Sequence, residues 1–152
     1  MTNFKEGGIS RPKDKRDFKL GQYQAPTYIP KYYETDVSKV KKLYQAQWPA
    51  CGAHAGAHFK EIQEKDGNLS PCFLWNKIKE IDGFPPKVGT DMRSIFKTLK
   101  SNGVCDYSLL PNDYSLTLAN YTHRNITQKM LDDAKPKGNQ VMLSQIFQQL
   151  KN

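Results

Sequence analysis

Apolar residues recur at helical spacing in several stretches of this chain. Leu74, Ile78 and Ile81 fall on one stripe while Lys77, Lys79 and Glu80 face the other way, which predicts an amphipathic helix. Ser70 is a good N-cap for it, Pro71 suits its first turn and Gly83 stops the run. Phe73 and Trp75 are expected to pack against neighbouring loops. Met92, Ile95, Phe96 and Leu99 then repeat at i, i+3, i+4 and i+7, predicting a further helix that Thr90 caps and Asn102-Gly103 closes. Near the C-terminus, Ile126 to Ala134 reads as a short helix, with Asn125 or Thr127 as cap and Lys135-Pro136 as stop. Leu143, Ile146, Phe147 and Leu150 form the stripe of a last one.

One stretch follows a different rule. After Cys51 come Gly52, Ala53, Ala55, Gly56 and Ala57, which leave almost no side-chain bulk. A helix made of them can lie deep inside a domain with its N-terminus opening into a cleft. Residues 1–36 show little periodicity, several Pro and Gly, and scattered aromatics (Phe18, Tyr23, Tyr28, Tyr32, Tyr33), and read as an extended basic arm pinned by those rings. The expected organisation is that arm at 1–36, a helical body at 37–113 and a connecting region at 114–152.

With 152 residues the chain has the length of one domain. Its mean hydropathy of −0.73 is polar, and no apolar run approaches the ~20 residues of a membrane span. Nor does MTNFKEGGISRPKDKR hold the apolar core of a signal peptide, so a cytoplasmic or virion-associated protein is expected, without a membrane. Three cysteines without regular spacing argue against a disulfide framework. The net charge of +8 comes partly from KDKR (Lys13 to Arg16) and KVKK (Lys39 to Lys42). Acidic residues interrupt the basic ones and no recognition motif follows, so a solvated basic surface is expected rather than a nucleic-acid partner.

Candidate chemistry gathers at Tyr44 to Phe59, YQAQWPACGAHAGAHF. A cysteine that opens a helix sits among unpaired amides, whose partial positive charge favours the nucleophilic thiolate. Those N–H groups can also hold an oxyanion forming beside the sulfur, and Gln45 can supply a second donor. So Cys51 is the candidate nucleophile, and Gln45 with the Cys51 amide the candidate oxyanion site. The bland alternative is an inert small hydrophobe in an Ala-rich helix. A zinc site is a third reading, because Cys51, His54 and His58 lie within ~60° of one another around a helix. No second Cys/His pair at finger-like spacing supports it, so no metal or cofactor is expected.

The spacing of Gln45, a short loop and Cys51 opening a small-residue helix resembles the papain-like cysteine peptidases. Ala50 and Ala53 match small residues of that signature. Gly52 replaces the usual Trp after the nucleophile, and Trp48 replaces a loop Cys that many secreted members use in a disulfide. RPKDKRDFKLG, IPKYYETD, LSPCFLWNKIKEIDG and GVCDYSLLPND resemble segments of the divergent bacterial and phage branch. The resemblance implies an α+β, papain-like fold, of which this chain is mainly the helical half, with the β-rich half largely absent. It implies thiol-dependent peptide-bond hydrolysis by a cysteine-type peptidase. By the same resemblance Gly89 is the backbone contact to a peptide substrate, flanked by Val88, which replaces a frequent second glycine, and by Thr90.

Acyl transfer also needs a general acid–base, normally a His held by Asn or Asp. His54 and His58 share the helix with Cys51, and His123 in TLANYTHRNIT does not match the family's His motif. In that family the His and Asn come from the second half, and the resemblance covers about residues 9–150, its first half only. The implied partners are a peptide or protein substrate and a C-terminal half or second chain that supplies His and Asn. A non-catalytic interaction or structural module on a degenerate peptidase fold is the alternative.

Overall fold

The computed structural model describes residues 8–10, 32, 34, 36–38, 40–65 and 67–138. Most of the basic arm and the last apolar stripe at 143–150 lie outside the described residues. Among the described residues five helices follow in order: α1 (Cys51–Glu64), α2 (Pro71–Lys79), α3 (Met92–Ser101), α4 (Leu118–Thr122) and α5 (Gln128–Gly138). A short 3-10 turn, Pro86–Val88, precedes α3. The first three pack on one another, while α4 lies against α2 and α5 against α3.

Glycine lets α1 sit inside. A Cβ on Gly56 would fall 2.8 Å from Ile95 Cγ2 and 2.9 Å from Leu74 Cδ2, so the backbone of α1 rests directly on the core side chains of α2 and α3. Ala53 and Ala57 are fully buried beside it. The inward face also carries charge. Buried Lys60 pairs with Glu64 on the next turn. The carboxylate of buried Glu61 accepts from the amides of Asn68 (3.0 Å) and Leu69 (2.8 Å) and lies 2.8 Å from His58 Nδ1. That carboxylate therefore fixes the turn into α2, where Lys65 (φ 54) and Asn68 (φ 91) both take left-handed backbone.

Ser70 caps α2 as expected, its hydroxyl accepting from Phe73 N at 3.0 Å with Pro71 in the first turn. Phe73, Leu74, Trp75 and Ile78 are all fully buried, each contributing about 1.5–3 kcal/mol of burial. Two expectations for α2 are corrected. Ile81 is 41% exposed because the helix ends at Lys79, which breaks the periodicity that had put it on the stripe. Lys79 is turned inward, its side chain 5% exposed, paired with Asp82 at 2.8 Å and lying over the Trp75 ring.

The cap of α3 is Asp91, which accepts from Ser94 N at 3.1 Å, rather than Thr90. Ile95 and Leu99 are buried as expected, whereas Met92 and Phe96 are exposed. Asn102 and Gly103 (φ 71) close the helix. Helix α4 is an element the periodicity did not show. Asn76 holds it to α2, donating to Tyr121 O at 2.9 Å and accepting from Arg124 N at 2.9 Å. Thr127 caps α5, accepting from Met130 N, but the helix runs through Pro136 to Gly138 instead of stopping at Lys135-Pro136.

Among the described residues there are no strands, only isolated bridges: Leu69 pairs antiparallel with Asp106, and Gly8 pairs parallel with Thr90. The helical part of the expected α+β fold is thus present and its β part is not seen. Tyr32, one of the rings expected to pin the arm, is exposed and bonds Glu34. None of the described helices is long and apolar enough to cross a membrane.

Candidate functional site

Cys51 is the first residue of α1, and the helix start has no side-chain cap. Pro49 and Ala50, both buried, bring the chain into that start. None of the three cysteines forms a disulfide. Cys51 is half-buried, and Cys72 and Cys105 are buried. Burial pushes the Cys72 thiol up to about 12, which keeps it protonated and unreactive.

Gln45 is held by its own loop. Its Nε2 donates to Trp48 O at 2.7 Å, which commits one of its two amide hydrogens. Ala46, the next residue, sits at φ 58 in the left-handed region, where a residue with a side chain is strained. Trp48 then anchors the loop from inside. It is 7% exposed and stacks on Tyr121 at 3.9 Å and on Tyr114 at 5.8 Å. Aromatic stacking thus holds the loop from inside, without a disulfide.

Gly52 has a packing reason. A Cβ there would lie 2.7 Å from Ile95 Cδ1 and 2.9 Å from Thr90 Cγ2, leaving no room for the Trp of the family pattern. The three candidate substrate residues lie just before α3. Val88 is exposed, Gly89 and Thr90 are buried. Gly89 has φ 94 and ψ −148, a conformation open in practice to glycine alone. Its carbonyl accepts from Lys79 Nζ, and the Thr90 carbonyl accepts from Ile9 N at 2.9 Å. The Thr90 hydroxyl is buried with no hydrogen-bond partner among the described residues.

The histidines do not join Cys51 as a metal site. His54 is buried, its Nδ1 3.1 Å from Ala50 O and its Nε2 3.1 Å from Asn112 Nδ2. His58 turns to Glu61. Among the described residues no group of three His, Cys, Asp or Glu side chains is placed to hold a metal ion. His123, exposed, is the C-cap residue of α4. Burial lowers the proton affinity of His54, with His58 adding to the effect and the bond to Ala50 opposing it.

Sequence reasoning missed the partners of His54. Asn112 lies 58 residues away, and its Oδ1 accepts from Tyr121 OH at 3.1 Å. The one local signal was that His54 stands four residues after Ala50, the distance at which a helical side chain reaches back to the preceding turn. Lys79 on the Gly89 carbonyl was missed as well, because a helical lysine beside Lys77 and Glu80 reads as solvent-facing.

No protein-family model matches the chain, and no curated protein matches it. The structure is similar to the crystal structure of xylellain, a cysteine protease from Xylella fastidiosa, with a TM-score of 0.58 and 19% identity over 86% of this chain. The chain spans 55% of the length of that protease. At this identity the similarity shows the fold, and it agrees in outline with the papain-like fold implied by the residues around Cys51.

Proposed function

We propose that this chain is the nucleophile-bearing half of a papain-like cysteine peptidase. Cys51 Sγ attacks the carbonyl carbon of a peptide bond, and the electron pair moves to the carbonyl oxygen. The Cys51 N–H and the remaining Gln45 amide hydrogen hold that oxyanion. Its collapse expels the amine, which takes a proton from a histidine, and water then releases the acyl group from sulfur. Gly89, with Val88 and Thr90, lies along the peptide. The observation that carries this reading is a half-exposed cysteine at an uncapped helix start, on a fold shared with a cysteine protease.

The histidine is to come from a C-terminal half or a second chain, since His54 and His58 are engaged within α1 and its surroundings. The outer face of α1 supports such a partner. Cys51, Ala55, Phe59 and Ile62 follow one another along it, while Lys60 and Glu61 point inward. An apolar stripe left outside on a helix that buries two of its charges is a surface for a partner to cover. Phe59 packs edge-on against Phe96 of α3, which widens the apolar strip. A second reading, an interaction module on the same fold, is favoured by the occupied carbonyls of Gly89 and Thr90.

Iodoacetamide in mildly acid buffer separates the two, with wild type, Cys51→Ala and glutathione compared by mass mapping. The peptidase reading expects alkylation at Cys51 ahead of glutathione and of Cys72 and Cys105. A Cys51 slower than glutathione leaves the interaction module standing instead.

A further inference from the structure

Four buried groups form a chain that ends at the peptide bond preceding Cys51. Tyr121 OH donates to Asn112 Oδ1 at 3.1 Å, Asn112 Nδ2 lies 3.1 Å from His54 Nε2, and His54 Nδ1 lies 3.1 Å from Ala50 O. Tyr121, His54, Asn112 and Ala50 are all below a tenth exposed. The proton positions follow from chemistry. A carbonyl only accepts, so Nδ1 carries the ring proton and donates it to Ala50 O. The neutral ring then has its lone pair on Nε2, and the Asn112 amide group donates into it. That leaves Asn112 Oδ1 to accept from the phenol, and every member is satisfied at once.

Ala50 O accepts a second bond, from His54 N at 3.1 Å. The Ala50 carbonyl and the Cys51 N–H belong to one planar trans peptide, so they point in opposite directions. Fixing the oxygen therefore fixes the hydrogen. Two donors on the oxygen also draw charge toward it and make the N–H at the other end a stronger donor.

We propose that His54 is a positioning residue for the oxyanion site: through the Ala50 carbonyl it aims and strengthens the Cys51 N–H, with Asn112 and Tyr121 holding its tautomer. The proposal rests on Cys51 being the nucleophile. It assigns a role to the one histidine of α1 that is turned fully inward.

The test uses two reagents that differ in whether their adduct sets a former carbonyl oxygen against the Cys51 N–H. A peptide aldehyde adds Cys51 sulfur to its carbonyl carbon, and the thiol proton ends on the former carbonyl oxygen. Iodoacetamide reacts at a saturated carbon, sulfur displacing iodide, and makes no oxyanion. His54→Leu keeps side-chain volume and loses the donor, and should weaken the aldehyde adduct about tenfold, misaiming one donor being milder than deleting it. Its iodoacetamide rate should stay within about twofold of wild type, since the sulfur itself is untouched. His54→Asn, whose amide nitrogen reaches the place of Nδ1, should restore most of the adduct. Nitrogen-15 spectra of the wild type, which need no variant to fold, should show the proton on Nδ1.

Unchanged aldehyde affinity in His54→Leu, a parallel fall with both reagents, or a ring proton on Nε2 would each overturn the proposal. Absence of any aldehyde adduct in the wild type removes the Cys51 reading itself, and the positioning role with it. The first three outcomes leave that reading intact.

Discussion

Gly52→Ala tests whether α1 is seated as tightly on α3 as the geometry requires. Two effects compete. Replacing a helical glycine with alanine gains roughly 0.5–1 kcal/mol of backbone entropy. Against it, the new methyl falls 2.7 Å from Ile95 Cδ1 and 2.9 Å from Thr90 Cγ2. Both neighbours are essentially fully buried: the Thr90 methyl is held by its stiff χ1, and the Ile95 terminal methyl can turn only within packed surroundings. Overpacking of this kind costs about 1–3 kcal/mol. The steric term wins, and a net loss of roughly 1 kcal/mol is expected. With an m-value of about 2 kcal/mol/M, the urea midpoint should fall by about 0.5 M. Ile95→Val removes the atom at 2.7 Å and by itself costs about 0.5–1.5 kcal/mol. In the double variant the two losses should not add, leaving a coupling of about 1 kcal/mol. A midpoint that rises in Gly52→Ala, or strict additivity in the double variant, would refute the close seating of the two helices.

Two further outcomes are expected. Ala46→Gly should raise the thermal midpoint slightly, because the left-handed backbone costs alanine about 1–2 kcal/mol and glycine's extra unfolded-state freedom returns about 0.4–1; a fall would show that the Ala46 methyl matters more for packing. Stability should also decline as the pH drops below 6.5, the ordinary histidine value. Buried His54 has the lower proton affinity in the folded state, so the unfolded chain binds the proton first and the contribution is complete only above that value. Urea midpoints measured across this range check it, and His54→Leu should flatten the slope there.

How much could be read in advance depended on whether a residue's partner was local. The run of small residues after Cys51 pointed to a buried helix, and Gly52 and Gly56 do meet Ile95 and Leu74. Ser70 and Pro71 gave the start of α2 because a cap bonds only three residues ahead. Periodicity misled where an element ended early or a charge found a partner. Ile81 fell outside the helix, and Lys79 reached Asp82, the Trp75 ring and the Gly89 carbonyl together. Thr90 and Asp91 are both good caps, and only the backbone path decided for Asp91. The burial of Glu61 was hidden for the same reason, since its partners are backbone amides in a turn with no distinctive side chain. The place of Cys51 at the start of α1 was legible from the run of small residues after it; the chain from Tyr121 through Asn112 to His54 was not, because it joins three separate elements.

The ring pile of Trp48 on Tyr121 and Tyr114 ties the fate of one turn to that of another. The amide protons of Trp48 and Ala50, on either side of Pro49, should trade with deuterium mainly when Tyr121 lets go, which means when α4 lifts from α2. The Trp48–Tyr121 stack adds about 0.5–1.5 kcal/mol to that opening, beyond the area it hides. A slow-exchanging island at the entrance to α1 should therefore melt together with α4, and the segment that sets Gln45 should behave as part of a distant five-residue helix rather than as a loop.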